Sequence, residues 1–246
     1  MSEGNASAQS AGVGAGVYAG RDVVVTGGTG ALGRGVVTAL LDAGATCYIP
    51  NVDARLLASF ELASHPRVRI LDGADLLDEA KVAETYAAVP ELWASIHLVG
   101  GFAMAPLADT SPADFLRMMN LNALTVFLCS RAAVARMREA GRGGRIVNVA
   151  ARPALSPVGG MAAYAASKAA VVSLTQSLAE ELKAERIWVN AIAPSIMDTP
   201  DNRRGMPKAD FARWPKVDEV ARAIAFLASP DNALTTGLVM PVYGLA

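Results

Sequence analysis

Two side chains that could move a proton, Tyr164 and Lys168, stand four residues apart in the sequence Tyr-Ala-Ala-Ser-Lys. Residues at this spacing share one face of a helix, so the pattern sets a phenol beside an ammonium. A nearby cation favours the phenolate and lowers the phenol pKa from its ordinary value of about 10. Such a pair could donate and accept a proton near neutral pH. The spacing is common by chance, so it needs a second signal.

A glycine-rich turn near the N-terminus supplies that signal. The apolar run Val23–Val25 leads into Thr-Gly-Gly-Thr-Gly-Ala-Leu-Gly, and a helical pattern follows. A strand, a glycine turn and a helix N-terminus together bind a pyrophosphate through backbone N–H groups and the helix dipole. We therefore predict a dinucleotide site. Its expected contacts in the turn are Gly27, Thr29, Ala31, Leu32 and Gly33.

The end of the second predicted strand bears on the choice of dinucleotide. Asn51 stands where dinucleotide-binding folds often have an acid for the adenosine ribose, and Asp53 could also reach it. An amide would not repel a 2′-phosphate, and Arg55 is close in sequence, yet Gly30 provides no basic group in the glycine turn. The sequence therefore leaves both NAD and NADP open as the cofactor.

The end of the third predicted strand has two interpretations. Asp75 and Leu76 follow this strand, where they would border the adenine of a bound dinucleotide. Alternatively, Asp75 caps a helix that begins at Leu77.

Short β-branched runs alternate with longer helical patterns along the chain. The predicted strands are Val23–Val25, Thr46–Ile49, Val68–Leu71, Ser95–Val99, Arg145–Val149, Trp188–Ile192 and Gly237–Val242. The predicted helices are Leu32–Ala43, Ala54–Ala63, Leu77–Ala87, Ala113–Arg138, Ala163–Ala184 and Val217–Ala228. This alternation predicts an α/β fold, a single Rossmann-type doubly wound domain with a seven-stranded parallel sheet and helices on both faces.

Composition sets the domain limits and excludes several classes of partner. Residues 1–17 form a predicted flexible tail, rich in Ala, Gly and Ser and unlike a secretory signal, and residues 18–246 form the domain. A net charge of −1 gives no indication of nucleic-acid binding, and no apolar run reaches the ~18 residues of a membrane span. Cys47 and Cys129 lie in apolar stretches, so we expect buried thiols, no metal site and a cytoplasmic protein that acts on a small molecule.

With the glycine turn and the Tyr164/Lys168 pair together, residues Gly20 to Gly244 resemble the short-chain dehydrogenase/reductase family. The resemblance implies that Tyr164 is the general acid/base, and that Lys168 lowers its pKa and binds the nicotinamide ribose. It also implies a proton-relay asparagine, for which Asn122 is the better match and Asn120 the competing choice.

The resemblance extends to the segments around the predicted nicotinamide. The segment that begins at Pro194 resembles the one that holds the carboxamide, with Ile196 and Thr199 as its contacts. Gly100 belongs to Leu-Val-Gly-Gly, which replaces the family's usual Asn-Asn-Ala-Gly beside the adenosine. The family pairs its long helices between subunits, which implies a homodimer or homotetramer.

One departure from the family pattern concerns catalysis directly. The usual catalytic serine lies thirteen residues before the tyrosine, and Ala151 occupies that position. Ser156 could substitute for it only if the following loop folds inward. Losing a hydroxyl that steadies a developing alkoxide typically costs about 3–4 kcal/mol of transition-state stabilisation. An acceptor that is already electron-poor would need that hydroxyl less than a ketone does.

The departures together resemble the quinonoid dihydropteridine reductase branch of the family. Shared features are the glycine pair before Phe102, alanine at the serine position, and an unusual run of residues from Asp198 to Trp214. This run lies within Ala193–Lys216, a predicted lid. The predicted function is therefore an NAD(P)H-dependent oxidoreductase for a small conjugated substrate, with a quinonoid dihydropterin as the specific candidate. The alternatives are a 3-oxoacyl-type carbonyl reductase, in which Ser156 or a water replaces the serine, and a non-enzymatic dinucleotide-binding sensor.

Overall fold

The computed structural model describes residue 14 and residues 16–245, so most of the predicted tail lies outside the described residues. Residues 16–245 contain one sheet of seven strands. The strands are β1 (Asp22–Thr26), β2 (Thr46–Asn51), β3 (Val68–Asp72), β4 (Leu92–His97), β5 (Gly144–Val149), β6 (Ile187–Pro194) and β7 (Val239–Val242). Every neighbouring pair is parallel, in the order β3-β2-β1-β4-β5-β6-β7. The predicted fold class is confirmed.

The helices cover both faces of this sheet. Within the described range the α-helices are α1 (Ala31–Asp42), α2 (Ala54–Ala58), α3 (Glu79–Ala87), α4 (Pro112–Met119), α5 (Thr125–Ala140), α6 (Arg152–Leu155), α7 (Ala162–Leu182), α8 (Pro200–Gly205) and α9 (Val217–Ala228). Successive side chains of a strand point to opposite faces. Val23 and Val25 accordingly pack in the core that contains α1 and α9, whereas Val24 packs in the core that contains α3, α5 and α7.

Three helix predictions need correction. The helix expected from Leu77 begins at Glu79, because the carboxylate of Asp78 accepts the N–H groups of Ala80 and Lys81 and forms the N-cap. The helix expected over Ala54–Ala63 ends at Ala58 and is followed by a 3₁₀ turn, Glu61–Ser64. The long helix Ala113–Arg138 is interrupted by a wide π-helical turn, Asn120–Leu124, between α4 and α5.

The helical stretch Pro112–Ala140 is long and apolar enough for a membrane span by length and composition alone. However, 56% of the most apolar 18-residue segment of this stretch is buried inside the protein. Val126, Cys129 and Ala133 are among the buried residues of α5, the second half of this stretch. The same composition therefore also fits the core helix of a globular α/β domain.

The strand order reverses between β1 and β4, and this reversal determines where a ligand can bind. Strands β2 and β3 lie on one side of β1, and β4 to β7 lie on the other. In open α/β sheets, ligands bind at the carboxyl ends of the strands beside such a switch point. The predicted site residues follow the ends of these strands: the glycine turn follows β1, Gly100 follows β4, and Ala151 follows β5.

A chain of hydrogen bonds between buried side chains runs along one face of the sheet, from α3 to α7. Its members, each at most 2% exposed, are Tyr86, Ser95, His97, Asn148 and Thr175. The Thr175 hydroxyl donates to the Val171 carbonyl, so it accepts from Asn148 Nδ2 at 2.9 Å. Asn148 Oδ1 then accepts from His97 Nδ1 at 2.8 Å, which leaves Nε2 to accept from Ser95 Oγ at 2.8 Å. The network fixes the tautomer of His97, and all its members are neutral.

Candidate active site

The glycine turn forms a cradle that a side chain would fill. Gly27 has φ +69°, and a Cβ built there would lie 3.1 Å from the Val99 nitrogen. A Cβ at Gly33 would lie 2.1 Å from the Gly27 carbonyl oxygen, so α1 can begin this close to the turn only with glycine. The N-cap Gly30 provides no side-chain acceptor for the first N–H groups of α1. These N–H groups and the helix dipole fit the pyrophosphate of a dinucleotide.

The predicted contacts Thr29, Ala31 and Leu32 lie at this turn. Ala31 and Leu32 open α1, and the side chain of Leu32 is buried in the core. Thr29 is 5% exposed, and its hydroxyl lies 3.5 Å from Asn51 Oδ1 at the end of β2. The structure therefore brings the glycine turn and Asn51 together, as the sequence predicted.

Asp75 and Leu76 follow β3 and form a turn. The carboxylate of Asp75 accepts the N–H of Leu77 at 2.9 Å, and Leu76 is 7% exposed. The alternative in which Asp75 caps a helix is wrong, because Asp78 has that role in α3. An adenine contact at Asp75 and Leu76 stays a prediction.

Lys168 is buried, and its ammonium is bound by the sheet. Only 6% of the residue is exposed, and Nζ donates to the Val149 carbonyl at the end of β5 over 2.8 Å. Burial lowers the pKa of Lys168 to about 8. Burial likewise raises the pKa of Tyr164 to about 12, with no offsetting contribution from Lys168. The expected lowering of the tyrosine pKa is therefore not found, and the phenol keeps its proton at neutral pH.

Asn122 lies in the wide turn between α4 and α5, and its amide joins three segments. Oδ1 accepts the Gly101 N–H at 2.9 Å, while Nδ2 donates to the Gly101 carbonyl and to Ser167 Oγ, both at 3.0 Å. Ser167 Oγ donates in turn to the Tyr164 carbonyl at 2.7 Å. Asn122 is fully buried whereas Asn120 is exposed, so the structure favours Asn122 of the two candidates.

Gly100 lies in close contact with two predicted catalytic residues. A Cβ built at Gly100 would lie 2.5 Å from Asn122 Oδ1 and 3.3 Å from Lys168 Nζ. A larger residue would have to push the amide or the ammonium aside. The glycine after β4 therefore lets Asn122 and Lys168 lie this close to the backbone.

No hydroxyl occupies the position of the usual serine. Ala151 is 5% exposed and is the N-cap residue of α6. Ser156 follows the end of α6 and is exposed, and its N–H donates to the Arg152 carbonyl at 2.8 Å. Ser156 therefore lies at the surface, and the loop does not fold inward to place its hydroxyl beside the buried Ala151.

Apolar side chains surround the outer side of the tyrosine. The ring of Phe102 meets the ring of Tyr164 edge to face, with centroids 5.0 Å apart and planes at 78°. Phe102 is 63% exposed, as is Met104 two residues later. Met104 also lines a groove of about 180 Å³ with Met161 and Met118, in front of the start of α7. A flat apolar substrate could pack against this surface.

The predicted lid is an ordered segment with its own helix. Pro194 ends β6, and the Ser195 hydroxyl donates to the Tyr243 carbonyl at 2.8 Å. Thr199 is the N-cap of α8 and accepts the N–H of Asn202 at 3.2 Å. Asp198 binds Arg203 through two hydrogen bonds of 2.6 and 2.7 Å.

The lid residues differ in what they can contact. The guanidinium of Arg203 is already paired with Asp198, and that of Arg204 pairs with Asp201, within the lid itself. Ile196, a predicted carboxamide contact, is 43% exposed, whereas Thr199 is 6% exposed. The side chain of Ile196 is therefore accessible to a ligand, whereas that of Thr199 is almost completely covered by the protein.

Sequence reasoning missed two groups that hold this site together. Ser167 links Asn122 to the backbone of Tyr164, and the Val149 carbonyl binds Lys168. A serine inside a helix often bonds the backbone three or four residues earlier, so its position three residues after Tyr164 was a usable signal. The role of the Val149 carbonyl had no sequence signal, because every residue carries a carbonyl group.

Comparisons with known proteins agree with this geometry. Residues 21–209 match the short chain dehydrogenase family profile. A short-chain type dehydrogenase/reductase of Picea abies is 31% identical, with 92% of each chain covered. The 2-dehydro-3-deoxy-L-rhamnonate dehydrogenase (NAD(+)) of a Sphingomonas species (strain SKA58) is also 31% identical, over 94% of this chain and 96% of that protein.

The chain is also similar to a solved structure that contains a cofactor. ElxO with NADP bound superimposes with a TM-score of 0.81 at 26% identity, covering 91% of this chain and 97% of that one. None of the three names mentions a pterin. The matched profile, the glycine cradle at the switch point and the Tyr164/Lys168 pair lead to one conclusion: the chain belongs to the short-chain dehydrogenase/reductase family, whose members are NAD- or NADP-dependent oxidoreductases.

Proposed function

We propose that this oxidoreductase works as an NAD(P)H-dependent reductase of a small, conjugated, electron-poor substrate, and that a quinonoid dihydropterin is its best candidate. The observation that carries the proposal is the pairing of a protonated Tyr164 with a buried alanine at position 151. Burial raises the pKa of Tyr164 to about 12, so at neutral pH the phenol is available as a proton donor. Reduction consumes such a proton, whereas oxidation would first require its removal.

Each predicted catalytic residue has a task in this reaction. A bound nicotinamide supplies the hydride that reduces the substrate. Tyr164 Oη donates the proton to the substrate atom that gains negative charge. Lys168, whose Nζ lies at the end of β5, would hold the ribose of a bound cofactor, and Asn122 would orient the water that returns a proton to Tyr164. Each hydride delivered is thus matched by one proton from the chain.

The missing hydroxyl selects the kind of acceptor. A ketone develops an alkoxide, and losing one donor to it costs about 3–4 kcal/mol of transition-state stabilisation. Ala151 offers no such donor, and the exposed Ser156 lies outside the buried position. A quinonoid diimine takes up the negative charge on its ring nitrogens, so it depends less on the absent serine. A flat ring of this kind would also pack against Phe102 and Tyr164, as aromatic pairs do.

The resemblance of the lid to the dihydropteridine reductase branch supports the pterin in particular. The lid residues form the helix α8 and the Arg203–Asp198 ion pair. The shared pattern therefore also has a structural role, and the same lid could cover a different substrate. The pterin assignment therefore rests on this resemblance together with Ala151 and Phe102.

The test measures how fast each substrate oxidises the reduced cofactor. The purified protein is mixed with NADH or NADPH and with a quinonoid dihydropterin, a quinone or a β-ketoacyl thioester, and the nicotinamide absorbance is followed. We expect the dihydropterin and the quinone to be reduced faster than the thioester. Tyr164→Phe should abolish most of the turnover, whereas Ser156→Ala should not change it. Preference for the thioester would overturn the proposal.

A carbonyl reductase of the 3-oxoacyl type is the second candidate. The 31% identical Sphingomonas relative is a 2-dehydro-3-deoxy-L-rhamnonate dehydrogenase. A similar protein therefore interconverts a carbonyl and an alcohol, which supports this candidate. In this candidate Ser156 or a water replaces the missing serine. A sharp loss of thioester turnover in Ser156→Ala would favour it, and an unchanged rate would remove Ser156 from the mechanism.

We also propose that the protein forms a homodimer or homotetramer in the cytoplasm. Leu116, Leu124 and Phe127 on α4, the wide turn and α5 are 57%, 37% and 42% exposed, and helices with such faces pack between subunits. The free, buried thiols of Cys47 and Cys129 suit a reducing compartment. Light scattering on the wild type and on Phe127→Arg tests the assembly, and cell fractionation tests the location. A monomeric wild type would contradict the first.

A further inference from the structure

The orientation of the Asn51 amide is fixed by its hydrogen bonds. Nδ2 donates to the Asp53 carbonyl and to Asp72 Oδ1, both at 3.3 Å. Both partners are acceptors, so a flipped amide would bring its oxygen against two other oxygens. Oδ1 therefore points toward Thr29 and the glycine turn, where the Thr29 hydroxyl lies 3.5 Å away. Toward the cofactor cradle, Asn51 presents an acceptor.

The charges around Asn51 are unfavourable to an additional anion. Asp72 lies directly beside Asn51 in the register of β2 and β3, and it forms no salt bridge within residues 16–245. The nearby Arg55 pairs with Asp53. Arg34, whose Nε donates to the Thr29 carbonyl at 3.1 Å, pairs with Glu61 at 2.6 Å.

Arg34 is also held by other contacts. Its Nη2 donates to Ser59 Oγ at 2.8 Å, and its guanidinium lies over the Phe60 ring at 5.6 Å. The guanidinium groups of Arg34 and Arg55 therefore each have a carboxylate partner, and the carboxylate of Asp72 has no cation partner among the described residues. A 2′-phosphate would have to break one of these pairs to gain a cation.

We propose that Asn51, oriented by Asp72, makes this enzyme select NAD(H) over NADP(H). The 2′-hydroxyl of NAD can donate to Asn51 Oδ1, whereas a 2′-phosphate carries only acceptors and about two negative charges near neutral pH. In NADP, this phosphate would face the amide oxygen, and the charge of the Asp72 carboxylate behind the amide would add to the repulsion. The inference rests on the proposed dinucleotide site at the glycine turn, and it is independent of which substrate is reduced.

The test is a pair of dissociation constants, measured from the change in nicotinamide fluorescence when NADH or NADPH binds at fixed ionic strength. We expect the wild type to bind NADH about tenfold more tightly than NADPH, or better. Asp72→Asn removes the negative charge and should reduce this ratio several-fold, chiefly by tightening NADPH. Glu61→Gln, which releases Arg34, should also tighten NADPH.

A matched control separates this local effect from net charge. Asp42→Asn removes one negative charge at the opposite, exposed end of α1, and should leave the ratio unchanged. Thermal unfolding without nucleotide shows that each variant is folded. The inference is overturned if the wild type binds NADPH as tightly as NADH, or if Asp72→Asn leaves the ratio unchanged. Equal binding with normal turnover overturns only the selectivity, whereas binding of neither nucleotide overturns the proposed site as well.

Discussion

The buried imidazole of His97 makes the stability of the fold depend on pH in a calculable way. Its side chain is fully enclosed, and burial lowers its pKa to about 4, although the hydrogen bond to Asn148 partly opposes the shift. In the unfolded chain the pKa is near the ordinary value of about 6.5. Between these values the unfolded chain binds a proton that the folded protein refuses. Stability is therefore unaffected above about pH 7 and is lost as the pH falls toward 4.

The size of this effect follows from the two pKa values. One pKa unit corresponds to about 1.36 kcal/mol. Linkage then predicts that His97 removes about 2 kcal/mol of unfolding free energy between pH 7 and pH 5, and about 3 kcal/mol by pH 4. Carboxylates titrate in the same range, so the wild-type curve alone cannot isolate the histidine. A variant without the imidazole supplies the reference.

Urea unfolding at a series of pH values, followed by circular dichroism, measures the effect. His97→Gln should be less stable than the wild type at pH 7, because it breaks bonds to Ser95 and Asn148. The difference between the two proteins should shrink by about 2 kcal/mol on going to pH 5. Ser95→Ala keeps the imidazole and should retain the wild-type pH dependence. A difference between wild type and His97→Gln that stays constant over this range would refute the reasoning.

Three further predictions concern the site. Burial lowers the pKa of Lys168 from 10.5 to about 8, so the wild type should gain about 2 kcal/mol relative to Lys168→Met as pH rises from 8 to 10, measured by urea unfolding; parallel curves would contradict it. Gly100→Ala should cost about 1–3 kcal/mol of unfolding free energy and most of the turnover, because its Cβ would lie 2.5 Å from Asn122 Oδ1; unchanged activity would show that the loop yields. Phe102→Ala should lower kcat/KM for a conjugated substrate severalfold, about 1 kcal/mol, and leave NADH binding unchanged.

The fold could be predicted from the sequence because its signals are local and repeated. Each strand is a short apolar run bounded by turns, and the glycine turn after β1 ties the first unit to a known binding geometry. Helix limits were less accurate where two capping residues competed. Asp75 and Asp78 each precede a helical pattern, and only the hydrogen bonds show that Asp78 caps α3.

The chemistry of the site was less accessible from the sequence. The spacing of Tyr164 and Lys168 indicated a shared face but not the depth of burial, and burial reverses the expected shift of the tyrosine pKa. The partner of Lys168 is a carbonyl at the end of another strand, nineteen positions away in the chain. The orientation of Asn51 likewise depends on Asp72, which becomes its neighbour only when β2 pairs with β3. Pairings of this kind are properties of the assembled sheet.

The wide turn at Asn120–Leu124 means that the length of the chain is itself a functional parameter of this enzyme. A π-helical turn holds one residue more than a regular α-helical turn. Deleting that residue would let α4 and α5 join into a regular helix, yet each residue turns a helix by about 100°. Asn122 would then rotate away from Gly101 and Ser167. A regular helix through this stretch and the present contacts of the Asn122 amide therefore exclude each other, so a relative without the extra residue would have to place this amide differently.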